Sequence, residues 1–133
     1  MDAAESLADL KQISTQIVRA VIVRADGSVA GSTVTDEAVS SSIAGAGVRL
    51  WDAADRARRD LGRPELSQLE VATGEGSVFA VRDEEHLIVA VTAPEPTVGL
   101  IFYDLKTCLR NLRERPEDAD AALEGGGGDD AGA

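Results

Sequence analysis

Few side chains in this sequence could carry chemistry, and their spacing decides how far each can go. His86 is the only histidine and follows Glu84 and Glu85 at the start of an expected strand. Metal binding or acid/base work would need partners converging on it. The sequence holds no H-x-x-x-H pair and no Cys/His cluster, so His86 is expected to be a surface residue in an acidic turn. Cys108 is the only cysteine, which rules out an intramolecular disulfide. Its place on the apolar side of the last helix makes it a small core residue rather than a nucleophile. Gly74-Glu75-Gly76 lacks the lysine followed by Ser or Thr of a phosphate loop, and lacks a third glycine opening a helix, so it is expected to be a hairpin turn. Ser40-Ser41-Ser42 has no histidine placed to activate a hydroxyl and fits a solvated first helical turn. No catalytic residue, metal site or cofactor is expected, and the chain is not expected to be an enzyme.

Arg49, Arg56, Arg58 and Arg59 need a separate weighing. One arginine inserted into a partner's active site can stabilise the charge that develops in phosphoryl transfer, and on that ground Arg49, Arg56 and Arg59 are candidate partner-binding residues. The plainer alternative pairs these arginines with Asp52, Asp55 and Asp60 at i±3 or i±4 on a helix exterior.

The elements that would position these residues follow from periodicity. Ala3 to Gln12 suggests a short amphipathic helix, with Leu7 and Leu10 on one side. The β-branched run from Ile17 to Val23, the Asp26-Gly27 turn and Ser28 to Ala30 predict a hairpin. Thr35, Asp36 and Glu37 mark a helix start, with Thr35 as the capping hydroxyl, and Gly62 and Pro64 stop the helix after Leu61. Its apolar positions Val39, Ile43, Ala46, Gly47, Leu50, Ala54, Ala57 and Leu61 form one stripe, with Arg49, Asp52, Arg56, Arg59 and Asp60 on the reverse. Leu66 to Ala72, Ser77 to Arg82 and Leu87 to Thr92 read as an antiparallel meander, and Val98 to Arg113 as a closing helix. The domain is expected over 1–115. Residues 116–133, acidic and then glycine-rich, are expected to be a disordered tail.

The residues Arg19-Ala20-Val21-Ile22-Val23-Arg24-Ala25-Asp26-Gly27, the small-residue helix from Asp36 to Leu61 and Pro96-Thr97-Val98-Gly99-Leu100 carry a resemblance to the Roadblock/LC7 family, which includes MglB-like proteins. It extends from about Leu7 to about Leu112, within the normal length of one domain. The resemblance implies an α/β (α+β) fold with a five-stranded antiparallel sheet in the order helix, strand, strand, helix, three strands, helix, shared with longin and profilin-like domains. It also implies a homodimer, or a heterodimer with a paralogue, in which central helices pack together and middle strands meet at their edges. Such dimers act as non-catalytic scaffolds or regulators of small Ras-like GTPases. The interface expected on that basis comprises Val39, Ile43, Gly47, Leu50, Ala54, Leu66, Leu69 and Val71. Ala44 to Gly47 supports it from the residues alone. Each glycine there costs about 1 kcal/mol against alanine, a loss that close packing against a second helix, or against the protein's own sheet, would offset. The alternative function is a PAS- or profilin-like ligand-sensing or structural module, which would need a cavity with polar groups inside.

Composition narrows the partners. Within 133 residues, 44% are hydrophobic but only 3% aromatic, so one core of Val, Ile, Leu and Ala is expected. The net charge of −11, from 24 acidic against 13 basic residues, would repel a phosphate backbone and an anionic membrane alike. Neither nucleic acid nor membrane insertion is expected. The acidic excess also fits a salt-rich cytosol, as in a halophilic archaeon, where self-repulsion is screened. Met1 to Leu10 lacks a basic start and apolar run, and no stretch reaches the roughly 18 apolar residues of a membrane span, so a cytoplasmic protein is expected.

Overall fold

The structure is a computed structural model and describes residues 1–113. The expected domain end at 115 and the segment 116–133 lie outside the described residues. The elements run α1 (Ala3–Ile13), β1 (Ile17–Arg24), β2 (Val29–Ser32), α2 (Glu37–Asp60), β3 (Gln68–Thr73), β4 (Gly76–Arg82), β5 (His86–Thr92) and α3 (Val98–Asn111). Their order is the expected one, and the strands form one five-stranded antiparallel sheet.

The sheet order is β2-β1-β5-β4-β3, so β2 and β3 are the edges. Because side chains alternate along a strand, each central strand supplies both faces. Ala20, Ile22, Phe79, Val81, Ile88 and Ala90 point to the side covered by α1 and α3, where Phe79 meets Phe102 edge to face at 5.0 Å. Val21, Val23, Ala80, Leu87 and Val89 point to the other side, under α2. Burial of both faces explains why β1 and β5 read as nearly unbroken apolar runs.

Local chemistry sets the element ends. Asp36, not Thr35, caps α2: its Oδ1 accepts from the N–H groups of Ala38 at 2.9 Å and Val39 at 3.2 Å. The carboxylate thus satisfies two orphan donors and also faces the positive end of the helix dipole. At the other end Gly62 takes φ +68°, and the N–H groups of Gly62 and Arg63 bond back to the carbonyls of Arg59 and Arg58. That closure needs a left-handed residue and fixes the stop the sequence announced. Strand β3 starts at Gln68, so Leu66 lies in the connection before it.

Candidate functional site

Where α2 meets the sheet, the residues on its inner line are Ser40, Ala44, Gly47 and Trp51. Gly47 marks the closest approach, since a Cβ there would stand 2.4 Å from Val89 Cγ2. The glycine expected at a subunit interface therefore serves contact with the protein's own sheet. Val39, Ile43, Leu50 and Ala54 lie about a quarter turn further round the helix, as 3.6 residues per turn requires. All four are half-buried, and Leu61 at the end of the same stripe is exposed.

The opposite flank of α2 shows which way this stripe turns. Glu37, Ser41 and Gly45 line an open groove with Gly27, Ser28, Val29 and Ser32 of the β1–β2 hairpin. The apolar flank therefore faces β4 and β3. Leu69 and Val71 lie across from Ala80 and Val78, on the α2 side of the sheet. Leu66 and Leu69 are half-buried and Val71 is exposed. Val78 and Val91, both half-buried and paired with each other, extend this apolar face and were missed from the sequence. Their signal was the alternation in β4 and β5, but it becomes legible only once α2 is known to cover β1, β2 and β5. Because β3 is an edge strand, one row of its backbone groups has no strand partner among the described residues.

The arginines split. Arg49 and Arg56 are exposed on the outer side of α2. Arg58 is bound inward, donating to Asp55 Oδ1 from Nη2 at 2.6 Å and to the Arg63 carbonyl. Arg59 reaches Asp55 Oδ2 at 3.4 Å. The Arg58 guanidinium holds the Asp55 carboxyl below the usual carboxylate range.

Two expectations are corrected. His86 is buried, at 7% exposure, because it opens β5 rather than sitting in the turn; Asp83 Oδ1 accepts its backbone N–H at 2.8 Å. Ser40 is buried too, bonded to Ser32 Oγ at 2.7 Å and to the Val34 carbonyl, while Ser41 and Ser42 are exposed. Cys108 is buried against Ser6, and desolvation pushes its thiol up, away from the reactive thiolate. Gly74 and Glu75 form the β3–β4 turn, and Gly76 opens β4 with φ +150°, its missing Cβ leaving room for the Thr92 carbonyl. Among the described residues no three metal-capable side chains converge, and no helix is long and apolar enough to cross a membrane. A cleft of about 170 Å³ beside Trp51 is lined by Arg24, Asp52, Arg82 and His86, among others.

No protein-family model matches the sequence, and no curated protein matches it. Solved structures do match the fold. A Roadblock/LC7 domain from Streptomyces avermitilis superposes with a TM-score of 0.75 at 16% identity, covering 83% of this chain and 93% of that one. An MglB solved in a tetrameric arrangement gives 0.70 at 15% identity, over 83% of this chain and 84% of its own. MglB of Myxococcus xanthus gives 0.64 at 12% identity, over 92% of each chain. The fold is that of Roadblock/LC7 domains.

Proposed function

We propose that this chain, carrying the Roadblock/LC7 fold, is a non-catalytic dimeric scaffold that binds and regulates a small Ras-like GTPase. The observation that carries this reading is the apolar face made by Val39, Ile43, Leu50 and Ala54 of α2 with Leu66, Leu69 and Val71 beside the open β3 edge. Contiguous half-exposed apolar surface next to a strand edge that is unpaired among the described residues is a liability in a monomer, and a second copy removes both at once. Two α2 helices packed across a two-fold axis, with two β3 strands abutting, would bury the same patch from each side. The tetrameric arrangement of an MglB of this fold supports assembly from several copies. Gly47 belongs to the intrachain contact and is left out of this interface.

The outward arginines Arg49 and Arg56 are the residues proposed to meet the GTPase. Arg59 is the weaker candidate because Asp55 engages it. The ligand-sensing alternative is less favoured: the cleft beside Trp51, at about 170 Å³, is smaller than the roughly 300 Å³ at which small-molecule sites begin. The larger depressions are open surface grooves.

The test is titration of small Ras-like GTPases from the same genome, loaded with GDP or a non-hydrolysable GTP analogue. Binding in one nucleotide state, weakened about tenfold (roughly 1.4 kcal/mol) by Arg49→Glu with Arg56→Glu, is expected. Failure of every such GTPase to bind in either state would overturn the proposal.

A further inference from the structure

Charge is unevenly divided along this chain. Residues 114–133 hold seven carboxylates, one arginine and no lysine, so more than half of the net charge of −11 falls in this short stretch. Within residues 1–113 the sign reverses at one place. Residues 49–63, the second half of α2 and the connection after it, carry five arginines against three aspartates, whereas the stretches before and after them are each net acidic. Arg49 and Arg56 lie seven positions apart, two turns along one helix face, both exposed and without an ion pair among the described residues. Arg63 is exposed just beyond, and Arg59 is held only loosely, at 3.4 Å from Asp55. This is the outward face of a helix whose opposite side lies on the sheet.

The described chain ends close by. Arg113 lines a depression with Asp83, Glu84, Glu85 and His86, and the last three also line the cleft that holds Trp51 and Asp52 of α2. The β4–β5 turn therefore stands between Arg113 and α2. Past it, the outer side of α2 is one layer spacing and one helix diameter away, on the order of 20 Å. Residues 114–124, fully extended, reach about 36 Å. The charges of the segment follow this path in order. Its only cation, Arg115, comes first, where the acidic turn must be passed, and Glu117, Asp118, Asp120 and Glu124 come after it. Arg82, exposed at the end of β4, lies between the turn and α2, near enough to Asp55 to help hold that carboxyl low.

We propose that residues 117–124 dock on the exposed arginine face of α2, so that this acidic segment screens Arg49 and Arg56 from other partners. Exposed ion pairs are individually weak, but a tether gives an effective concentration on the order of millimolar, which lets several weak pairs hold together. A second copy of this chain fits the face less well, because a two-fold contact would set arginine against arginine. One consequence rests on the GTPase-binding reading: the segment and the GTPase compete for the same two arginines.

The test places a photoreactive benzophenone amino acid at Ala121 of the purified full chain, irradiates it in low salt and maps the adduct by mass spectrometry. An adduct within one chain is expected, on residues 49–63. Its yield should fall about tenfold in Arg49→Glu with Arg56→Glu, the scale of losing two exposed ion pairs, and stay near wild type in Arg49→Lys with Arg56→Lys. In the wild-type chain it should also fall at about 1 M salt, where the screening length shortens to about 3 Å. Thermal unfolding of both variants separates lost docking from lost folding, and the salt arm needs no substitution. No GTPase takes part, so failure of this contact and failure of the GTPase reading are seen separately. The proposal is overturned if no adduct forms, if the adduct lies outside residues 49–63 or joins two chains, or if its yield is unchanged by both charge reversal and salt.

Discussion

Gly45 and Gly47 sit two positions apart in α2 and respond oppositely to a methyl group. A Cβ on Gly45 would meet only the movable end of Arg49, at 3.3 Å, so Gly45→Ala should gain about 1 kcal/mol of stability from helix propensity. A Cβ on Gly47 would collide with the β-branched Val89, and Gly47→Ala should lose about 1 to 3 kcal/mol despite the same propensity. Chemical denaturation of the two variants checks the pair; equal effects would mean α2 does not approach the sheet as described. Asp104 gives a second test. Burial raises its carboxyl above the usual range, so the folded state holds the proton more tightly than the unfolded chain does, and the contribution to stability is present at low pH and lost as pH rises through the folded pKa. Asp104→Asn should therefore stabilise the protein by about 1 kcal/mol at neutral pH, a gain that shrinks toward pH 4. Asp55 has the opposite sign: Arg58 lowers its pKa, and its contribution fades as pH falls. The lone histidine shows where residue-level reading stops. Glu84 and Glu85 suggested solvent, but strand pairing of His86 with Arg24 decides its burial.

At the scale of elements, the order of helices and strands was legible because each carried its own punctuation: Asp26-Gly27, Gly62, Gly74-Glu75-Gly76 and the prolines around Glu95. Boundaries shifted where two capping candidates adjoined. Asp36→Ala should cost about 1 kcal/mol, whereas Thr35→Ala should change stability little, as thermal unfolding of each variant would show. The orientation of α2 was the part least accessible. Hydrophobicity marks the line through Ile43, Leu50 and Ala54, but the line nearest the sheet is built from Ser40, Ala44 and Gly47, because small side chains allow close approach. Of the expected stripe, Val39, Ile43, Leu50 and Ala54 share a half-buried flank, Gly47 lies on the inner line, and Ala46, Ala57 and Leu61 are exposed. Sheet order was likewise absent from the sequence, since β1 pairing with β5 is a long-range choice that local patterns do not encode.

The whole molecule is a three-layer sandwich with two unequal outer faces. One side pairs α1 with α3 and hides most of its apolar residues. On the other, α2 is the only element among the described residues, lying over β1, β2 and β5 and leaving β4 and β3 thinly covered. Among the described residues Val71 is left exposed and Val78 and Val91 half-buried, and the proposed dimer would cover them with a second α2. The acidic surface bears on conditions: at net charge −11, self-association should strengthen as salt screens repulsion. Light scattering of the purified protein in moderate and high salt, alongside Leu50→Glu, tests the dimer most directly. The account predicts twice the chain mass for wild type and a folded monomer for Leu50→Glu. A wild-type monomer at every protein concentration and in both salts would contradict it.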